Sequence, residues 1–327
     1  MVAVIDTGVD YRHPDLAANV IGGISMVAGV KDYMDDNGHG THVAGTIGSN
    51  GKILGVAPEC KMLAVKVLNA GGSGSISDIN RGIAWARGWR GTNGEQVNVI
   101  NMSLGGPLPN PTMHTEIIKT VMAGITVVCA AGNAGDGNPD TEEVSYPAYY
   151  PETVAVGAID LFTGIANFSN SNPHINVVAP GVETYSTYID NQYIKLSGTS
   201  MAAPHISGAV ALMYSRWMKR FGSSPDVNML KNMLDYQAID LGKAGFDHLY
   251  GYGMFSFDPS GGKAIKVELG QRRYLVNNQE AYFIAVPFLK GQLACHDIME
   301  MCSLLSTECR WATDKNGKQT GVVEIWS

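Results

Sequence analysis

The chain has 327 residues, 45 % hydrophobic and 16 % charged, with 39 glycines and a formal net charge of −7. That is globular composition, enough for one large or two domains. The acidic balance argues against nucleic acid as a main partner, and no apolar run is long enough to span a membrane. Five cysteines, at 60, 129, 295, 302 and 309, are odd in number and lack CxxC spacing. They suggest neither a disulfide framework nor a structural zinc site and favour a reducing compartment. The seven-residue spacing of the last three predicts one buried helical face.

In chain order, Val2-Ala-Val-Ile5 is a short apolar run, the pattern of a parallel strand buried on both faces. Asp6 follows at its carboxyl end, where open α/β sheets place reacting groups. Read alone, Asp-Thr-Gly is equally a turn or a helix cap. HGTHVAGTIG is a small-residue helix that can approach a sheet closely, and it brings two imidazoles, His39 and His42. Lys61 to Val67 alternates like a strand, Gly71-Gly-Ser-Gly74 is a flexible loop, and Ile76 to Trp89 has helical spacing. Val97 to Met102 is the next apolar strand, and Ser103-Leu104-Gly105-Gly106 ends it. Glu116 to Ala123 reads as a helix and Thr126 to Ala131 as a buried strand. Thr153 to Ala158 and Ile175 to Ala179 are further strands. Ala202 to Phe221 is a long helix with Pro204 in its first turns, and Asp226 to Tyr236 is another helix.

Gly198-Thr-Ser-Met-Ala-Ala-Pro-His205 reads as a nucleophile turn. It places Ser200 where the following helix presents free N–H groups and positive partial charge. A serine hydroxyl is inert until a base takes its proton, and the base needs an orienting group. An imidazole at His39 and a carboxylate at Asp6 supply both. Asn133 follows Ala131-Gly132 and carries an amide that can donate to a developing oxyanion. Read alone, an Asn after Gly simply makes a turn.

Five separated motifs agree. IDTG around Asp6, HGTHVAGTI from His39, SLGG at Ser103 to Gly106, AAGN ending at Asn133 and GTSMAAP around Ser200 together resemble the signature set of the subtilases, across roughly residues 1 to 258. The tract from Val127 to Gly157 looks most like the intracellular subtilisins of Gram-positive bacteria. The resemblance implies an α/β fold of three layers, a mostly parallel central sheet with helices on both faces. It implies a serine endopeptidase with Ser200 as nucleophile, His39 as base, Asp6 as the orienting carboxylate and Asn133 in the oxyanion hole, His42 being structural. It further implies that Ser103, Leu104, Gly105 and Gly106 face Ala130, Ala131 and Gly132 across the pocket for the residue before the cut bond. Ala134 and Ser145 lie near its base, and so neutral a pocket prefers large apolar side chains. An extended peptide would add a strand to the edges at Gly71 to Ser75 and Ser103 to Gly106. Asp136, Asp140, Glu142 and Glu143 make an acidic loop nearby, either a solvated face or a modest bias towards basic substrates.

This chemistry requires no cofactor. In the family the Asp of HPDL, Asp15 here, is a calcium ligand. The loop that wraps a high-affinity calcium corresponds to Ser49 to Leu54; here it looks shortened and has no carboxylate, whereas calcium takes six to eight oxygen ligands. The carbonyls of Ala148, Tyr150 and Thr153 are candidate ligands of a weaker cation site, with Asn176 where many relatives have Asp. Calcium is left open.

Asp258-Pro-Ser-Gly-Gly262 is turn-rich. The expected division is therefore a peptidase domain at 1–258, a linker at 259–263 and a small α+β module at 264–327. In the module, Ile265 to Leu269 and Tyr274 to Val276 alternate, 297–305 reads as a helix, and a hairpin is expected around Lys315-Asn-Gly317. VNNQ, VPFLKGQL and CRWATDKNGKQTGVVEIW resemble the copper-amine-oxidase N-terminal-like domain. That name implies no copper, since His296 alone is not a metal site. The expected partners are peptide or protein substrates, with no nucleic acid and no membrane span; a homo-oligomer is left open. MVAVIDTGVD has neither a basic region nor an apolar signal core. Cytoplasmic is thus the expected location, or secreted if a segment precedes it. The alternative function is a catalytically inactive subtilase-fold binding or wall-associated protein.

Overall fold

The computed structural model describes residues 1–257 and, beyond them, strand segments 265–268, 273–276, 279–282, 308–313 and 319–326. The chain divides into two compact units, Met1–Phe255 and Ser256–Ser327.

Strands β1 (Val2–Asp6), β3 (Met62–Lys66), β4 (Val99–Met102), β5 (Thr126–Ala130) and β6 (Val154–Ile159) are buried at every position. Only a sheet covered on both faces buries strands in this way. With β2 (Val20–Ser25), β7 (Ile175–Pro180), β10 (Ala238–Ile239) and β11 (Met254–Phe255) they form a nine-stranded sheet. Its order is β10-β11-β7-β6-β5-β4-β1-β3-β2, parallel except for the β10–β11 pair. From β1 the chain crosses to the edge strand β2 and returns to β3 between the two; it then passes over β1 to β4 and winds the other way through β5, β6 and β7. The order reverses between β1 and β4, where an open α/β sheet leaves a crevice at its carboxyl ends.

Helices α1 (His39–Gly48) and α4 (Thr199–Phe221) pack against each other and the sheet, while α2 (Ile76–Gly88) and α3 (Pro111–Met122) form a second pair. Ile79, Ile83 and Ala86 of α2 and Met113 and Ile117 of α3 share one core with Ala3, Ile5, Leu63, Val65, Ile100 and Val127 of the strands. Alternate strand residues reach it because successive side chains point to opposite faces. Helix α2 starts where Ser75 Oγ accepts the Asp78 N–H at 3.0 Å. Helix α3 starts at Pro111, well before the expected Glu116. Asn110 Oδ1 caps the Met113 N–H at 2.9 Å, and proline at the first position loses no helical bond. Helix α4 starts at Thr199, not Ala202, so Ser200 lies inside its first turn. Helix α5 (Val227–Tyr236) is capped by Asp226.

A hairpin of β8 (Thr184–Tyr188) and β9 (Gln192–Leu196) stands apart from the main sheet. Three residues, Ile189 to Asn191, connect the strands; Asp190 and Asn191 have φ of 59° and 57°, and the Gln192 N–H donates across them to the Ile189 carbonyl at 3.3 Å, the pattern of a β-turn with positive φ at both central positions.

The second unit contains a five-stranded antiparallel sheet, β14 (Gln279–Tyr282), β13 (Arg273–Val276), β12 (Ile265–Glu268), β16 (Gln319–Trp326) and β15 (Glu308–Thr313) in that order. Strands β15 and β16 pair antiparallel across the stretch where a hairpin is expected. Cys309 lies on β15, which corrects the expectation that it shares a helical face with Cys295 and Cys302. The linker at 259–263, the helix at 297–305, the turn at Lys315, and Cys295 and Cys302 lie outside the described residues.

Candidate active site

Asp6 ends β1 and is fully buried. Its Oδ1 accepts the Thr7 N–H at 2.7 Å and lies 2.7 Å from His39 Nδ1. A carboxylate at that nitrogen selects the tautomer with the proton on Nδ1 and leaves the Nε2 lone pair facing outward. Burial pulls the His39 pKa down, but the Asp6 charge and hydrogen bond, with Asp35 behind them, outweigh it and hold the imidazole above its ordinary value.

His39 is the first residue of α1, and the helix is seated on β1 by a small polar network. Buried Asp35 accepts the Thr7 hydroxyl and the Asn37 and Gly38 N–H groups on Oδ1, and the Thr41 N–H and hydroxyl on Oδ2. Thr7 Oγ1 in turn accepts the Gly40 N–H at 2.9 Å. Gly40 is required by close approach: a Cβ there would lie 2.0 Å from the Gly8 carbonyl oxygen. Sequence reasoning missed Asp35, because a carboxylate in an irregular loop gives no periodic signal.

The second imidazole does different work. His42 is fully buried, its Nε2 is 3.0 Å from the Thr184 carbonyl, and burial pushes its pKa down to about 4. It is a neutral ring tying α1 to the β8–β9 hairpin. That hairpin was also missed, although two β-rich runs flanking Asp190-Asn191 are a readable signal.

Ser200 is the second residue of α4, so its N–H has no carbonyl four residues back within the helix. Its hydroxyl donates to the Ser103 carbonyl at 3.2 Å, and its own carbonyl accepts the Ser103 hydroxyl at 2.8 Å. In this rotamer Ser200 Oγ is not hydrogen-bonded to His39. Catalytic hydrogen bonds of a resting site commonly tighten only with substrate. Ser103 is held in turn by Asn101 Nδ2 at 3.0 Å, and Asn101 accepts the Ser207 hydroxyl of α4 at 2.8 Å.

Gly198 has φ +155° and ψ 159°, which side-chain-bearing residues rarely adopt. A Cβ at this position would lie 3.5 Å from Asn133 Nδ2 and 3.7 Å from the Ser200 nitrogen. The two N–H donors therefore border one open space. Asn133 Oδ1 accepts the Thr199 N–H and hydroxyl, each at 2.9 Å, which leaves Nδ2 to face that space. Thr199 is a further residue missed from sequence, where it reads only as a small spacer.

A cleft of about 430 Å³ runs past His39. Gly72, Ser73 and Gly74 line it on one side and Ser103, Leu104, Gly105 and Gly106 on the other, with Ile76, Met113 and Tyr146 among the other lining residues. Ser145 lies between Gly105 and Gly132: a Cβ on Gly105 would meet its Oγ at 2.4 Å, and one on Gly132 would meet its Cβ at 2.9 Å. Ala130 and Ala131 are buried, and Ala131 belongs to the core. Neither they nor Gly132 are among the residues lining this cleft.

The candidate cation ligands are already engaged. Asp15 accepts the Lys52 and Ile53 N–H groups, both at 2.9 Å. The loop at Ser49 to Leu54 thus closes on a carboxylate from outside itself. The carbonyls of Ala148 and Tyr150 accept the Thr153 hydroxyl at 3.1 and 2.9 Å, and the Thr153 carbonyl accepts the Lys231 ammonium at 2.9 Å. Among the described residues no group of three or more His, Cys, Asp or Glu side chains gathers as metal ligands. The donors present do not fit a calcium ion at either place.

The profile of the subtilase family matches residues 1–253. The chain is similar to the Major intracellular serine protease of Bacillus subtilis (strain 168), 50 % identical over 222 residues, covering 65 % of this chain and 68 % of that one. It is similar to Subtilisin DY of Bacillus licheniformis, 42 % identical over 261 residues, covering 79 % and 89 %. It is also similar to the Intracellular serine protease of Paenibacillus polymyxa, 46 % identical over 220 residues, covering 65 % of each chain.

Proposed function

The chain belongs to the subtilase family, and we propose that its serine endopeptidase activity is carried by Ser200, His39, Asp6 and Asn133. The observation that carries this reading is the 2.7 Å contact between Asp6 Oδ1 and His39 Nδ1 at the carboxyl edge of the sheet. It orients an imidazole as a base at the edge where a serine stands in the first turn of a helix.

In the reaction, Ser200 Oγ rotates from the Ser103 carbonyl and attacks the substrate carbonyl while His39 Nε2 takes its proton. Asp6 stabilises the imidazolium without itself becoming protonated. Asn133 Nδ2 and the Ser200 N–H hold the oxyanion. Collapse expels the amine, which takes the proton back from His39, and water then releases the acyl group by the same steps in reverse roles. The peptide lies extended between Gly72–Gly74 and Ser103–Gly106, pairing through main-chain bonds. No cofactor enters.

A pocket with glycine walls and Ser145 between them carries no charge, and a large apolar side chain before the cut bond suits it. Likeness to proteins named as intracellular supports a cytoplasmic place of action. Residues 264–327 are read as a small accessory module that binds or spaces. Ser200→Ala should abolish labelling by a fluorophosphonate and hydrolysis of a chromogenic peptide with Phe or Leu before the bond. Labelling that persists in that variant would remove Ser200 from its role.

A further inference from the structure

Strands β1 and β3 part just beyond Asp6. Up to that point they run in register, with Asp6 opposite Lys66. The Asp6 carbonyl then takes both the Val67 and the Leu68 N–H groups, at 2.9 and 3.1 Å, and the chain from Thr7 turns away towards α1. The carbonyls of Thr7 and Leu68 are left inside without a strand partner, and an unpaired buried carbonyl costs about as much as a lost hydrogen bond.

Lys66 fills this gap. Its side chain is fully buried, and its Nζ donates to the Thr7 carbonyl at 2.5 Å, the Asp36 carboxylate at 2.6 Å and the Leu68 carbonyl at 3.0 Å. A lysine is almost never fully buried unless paired. Its partners come from three parts of the site. Thr7 follows the orienting carboxylate, Asp36 precedes His39 in its own loop, and Leu68 lines the substrate cleft.

We infer that Lys66 and Asp36 are a positioning pair for the reaction. The ammonium holds the Asp6 strand end, the His39 loop and the cleft wall in one geometry. The balance of its charge against Asp36 tunes how readily His39 accepts the proton of Ser200. The inference rests on the reading of His39 as the base.

The charged groups that act on His39 directly are Asp6 from β1 and Asp35 from the loop before it, with His42 three residues on in α1; Asp36 of the same loop and Lys66 of β3 act from behind them, through the Thr7 carbonyl and the loop backbone. Asp6 and Asp35 are buried, and both oxygens of Asp35 are occupied by fixed donors. Of the three carboxylates Asp36 alone reaches water, its side chain 47 % exposed. Removing the Asp36 charge leaves the ammonium unopposed and disfavours an imidazolium; removing the ammonium does the reverse.

The test is the pH profile of kcat/KM for Asp36→Asn and Lys66→Met in the full chain, on a chromogenic peptide, beside melting curves. The acid limb should move to lower pH in Asp36→Asn and to higher pH in Lys66→Met, each by roughly half a unit. KM in Lys66→Met should rise several-fold as Leu68 loses its anchor. A lower melting temperature with the limb unmoved in both variants, or moved the same way in both, overturns the inference. Should Lys66→Met fail to fold, Asp36→Asn decides alone, since its carboxylate is half-exposed and an unmoved limb overturns the inference there too. His39→Ala is run alongside: hydrolysis at the wild-type rate would remove the base reading itself, whatever the pair variants do.

Discussion

Asn133 Oδ1 accepts two hydrogen bonds from Thr199, one from its N–H and one from its hydroxyl, each 2.9 Å long. Both lone-pair directions of the amide oxygen are used, so the Nδ2 end cannot flip without breaking two bonds. Asn133→Leu should therefore lower kcat with little change in KM, because its donor acts on charge that develops only in the transition state. The expected loss is about 10²–10³, the cost of removing one such side-chain donor in a subtilisin. Thr199→Val removes one anchor and keeps the donor, and should cost roughly tenfold. Equal losses in kcat and in substrate affinity would show that Asn133 binds ground and transition states alike.

Asp6 and His39 give a pH-dependent expectation. The Asp6 charge is a main reason why the His39 pKa stays above its ordinary value despite burial. Asp6→Asn removes that support, so the acid limb of kcat/KM should move to lower pH. The rate at the plateau should fall by about 10⁴, the cost of the same change in a chymotrypsin-type triad, since the imidazole loses its tautomer preference. The sign for stability is separate. A histidine with a raised folded pKa adds stability that is fully present below its unfolded value and is lost as pH rises through the folded value. The His39–Asp6 contact should thus stabilise the fold more at pH 5 than at pH 9. A limb that stays in place in Asp6→Asn would detach Asp6 from the base.

Much of the fold and site is legible in the sequence because the sheet is made of short, fully apolar runs and the reacting groups stand at their carboxyl ends. VAVID places Asp6, VINMS places Ser103, and GTS places Ser200 at a helix start. What is not legible depends on contacts distant in sequence. Asp35 and Lys66 are charged residues that periodicity assigns to loops or strand edges, yet both are buried: Asp35 gathers the N–H and hydroxyl groups where α1 starts over β1, and Lys66 the carbonyls left where β1 and β3 diverge. The start of α3 is hidden because Pro111 and Asn110 act together as a cap, whereas the apolar spacing becomes regular only later. The candidate cation ligands are judged in sequence by type alone, while the donors they meet come from elsewhere in the chain: the Lys231 ammonium on α5 for the Thr153 carbonyl, and the Lys52 and Ile53 N–H groups for Asp15.

His42 should make acid stability its signature. Its pKa is pushed down to about 4 by burial, so the unfolded chain takes a proton near pH 6.5 that the folded chain refuses. Stability is therefore lost as pH falls from about 6.5 to about 4, by up to about 3 kcal/mol from this residue. His42→Gln does not titrate and can still donate to the Thr184 carbonyl. It should be less stable than wild type at pH 7, by about 1–2 kcal/mol for imperfect packing; the two curves should cross at about pH 5–6, and towards pH 4 the variant should be the more stable. Denaturant midpoints across that range check this; parallel curves would mean that His42 is not the group that titrates.

Asp15 leads to an expectation about metal. Burial pulls its pKa up, but the N–H groups of Ile53 and Lys52, with the Tyr193 hydroxyl, win and hold it below the usual carboxylate value. Gly51 makes room for this contact, since a Cβ there would lie 2.1 Å from Asp15 Oδ1. A carboxylate satisfied by backbone donors locks the loop from Ser49 to Leu54 without an ion, and an ion would have to displace those donors. Excess chelator should therefore leave both melting temperature and turnover unchanged. Asp15→Asn should cost about 1–3 kcal/mol, the penalty for leaving buried N–H groups poorly paired, and the loss should be the same with and without added calcium. The contribution of Asp15 itself is present above its unfolded pKa and fades as pH falls through the lower folded value. A drop of several degrees on adding chelator to the wild type, restored by calcium, would show that the loop opens to bind an ion after all.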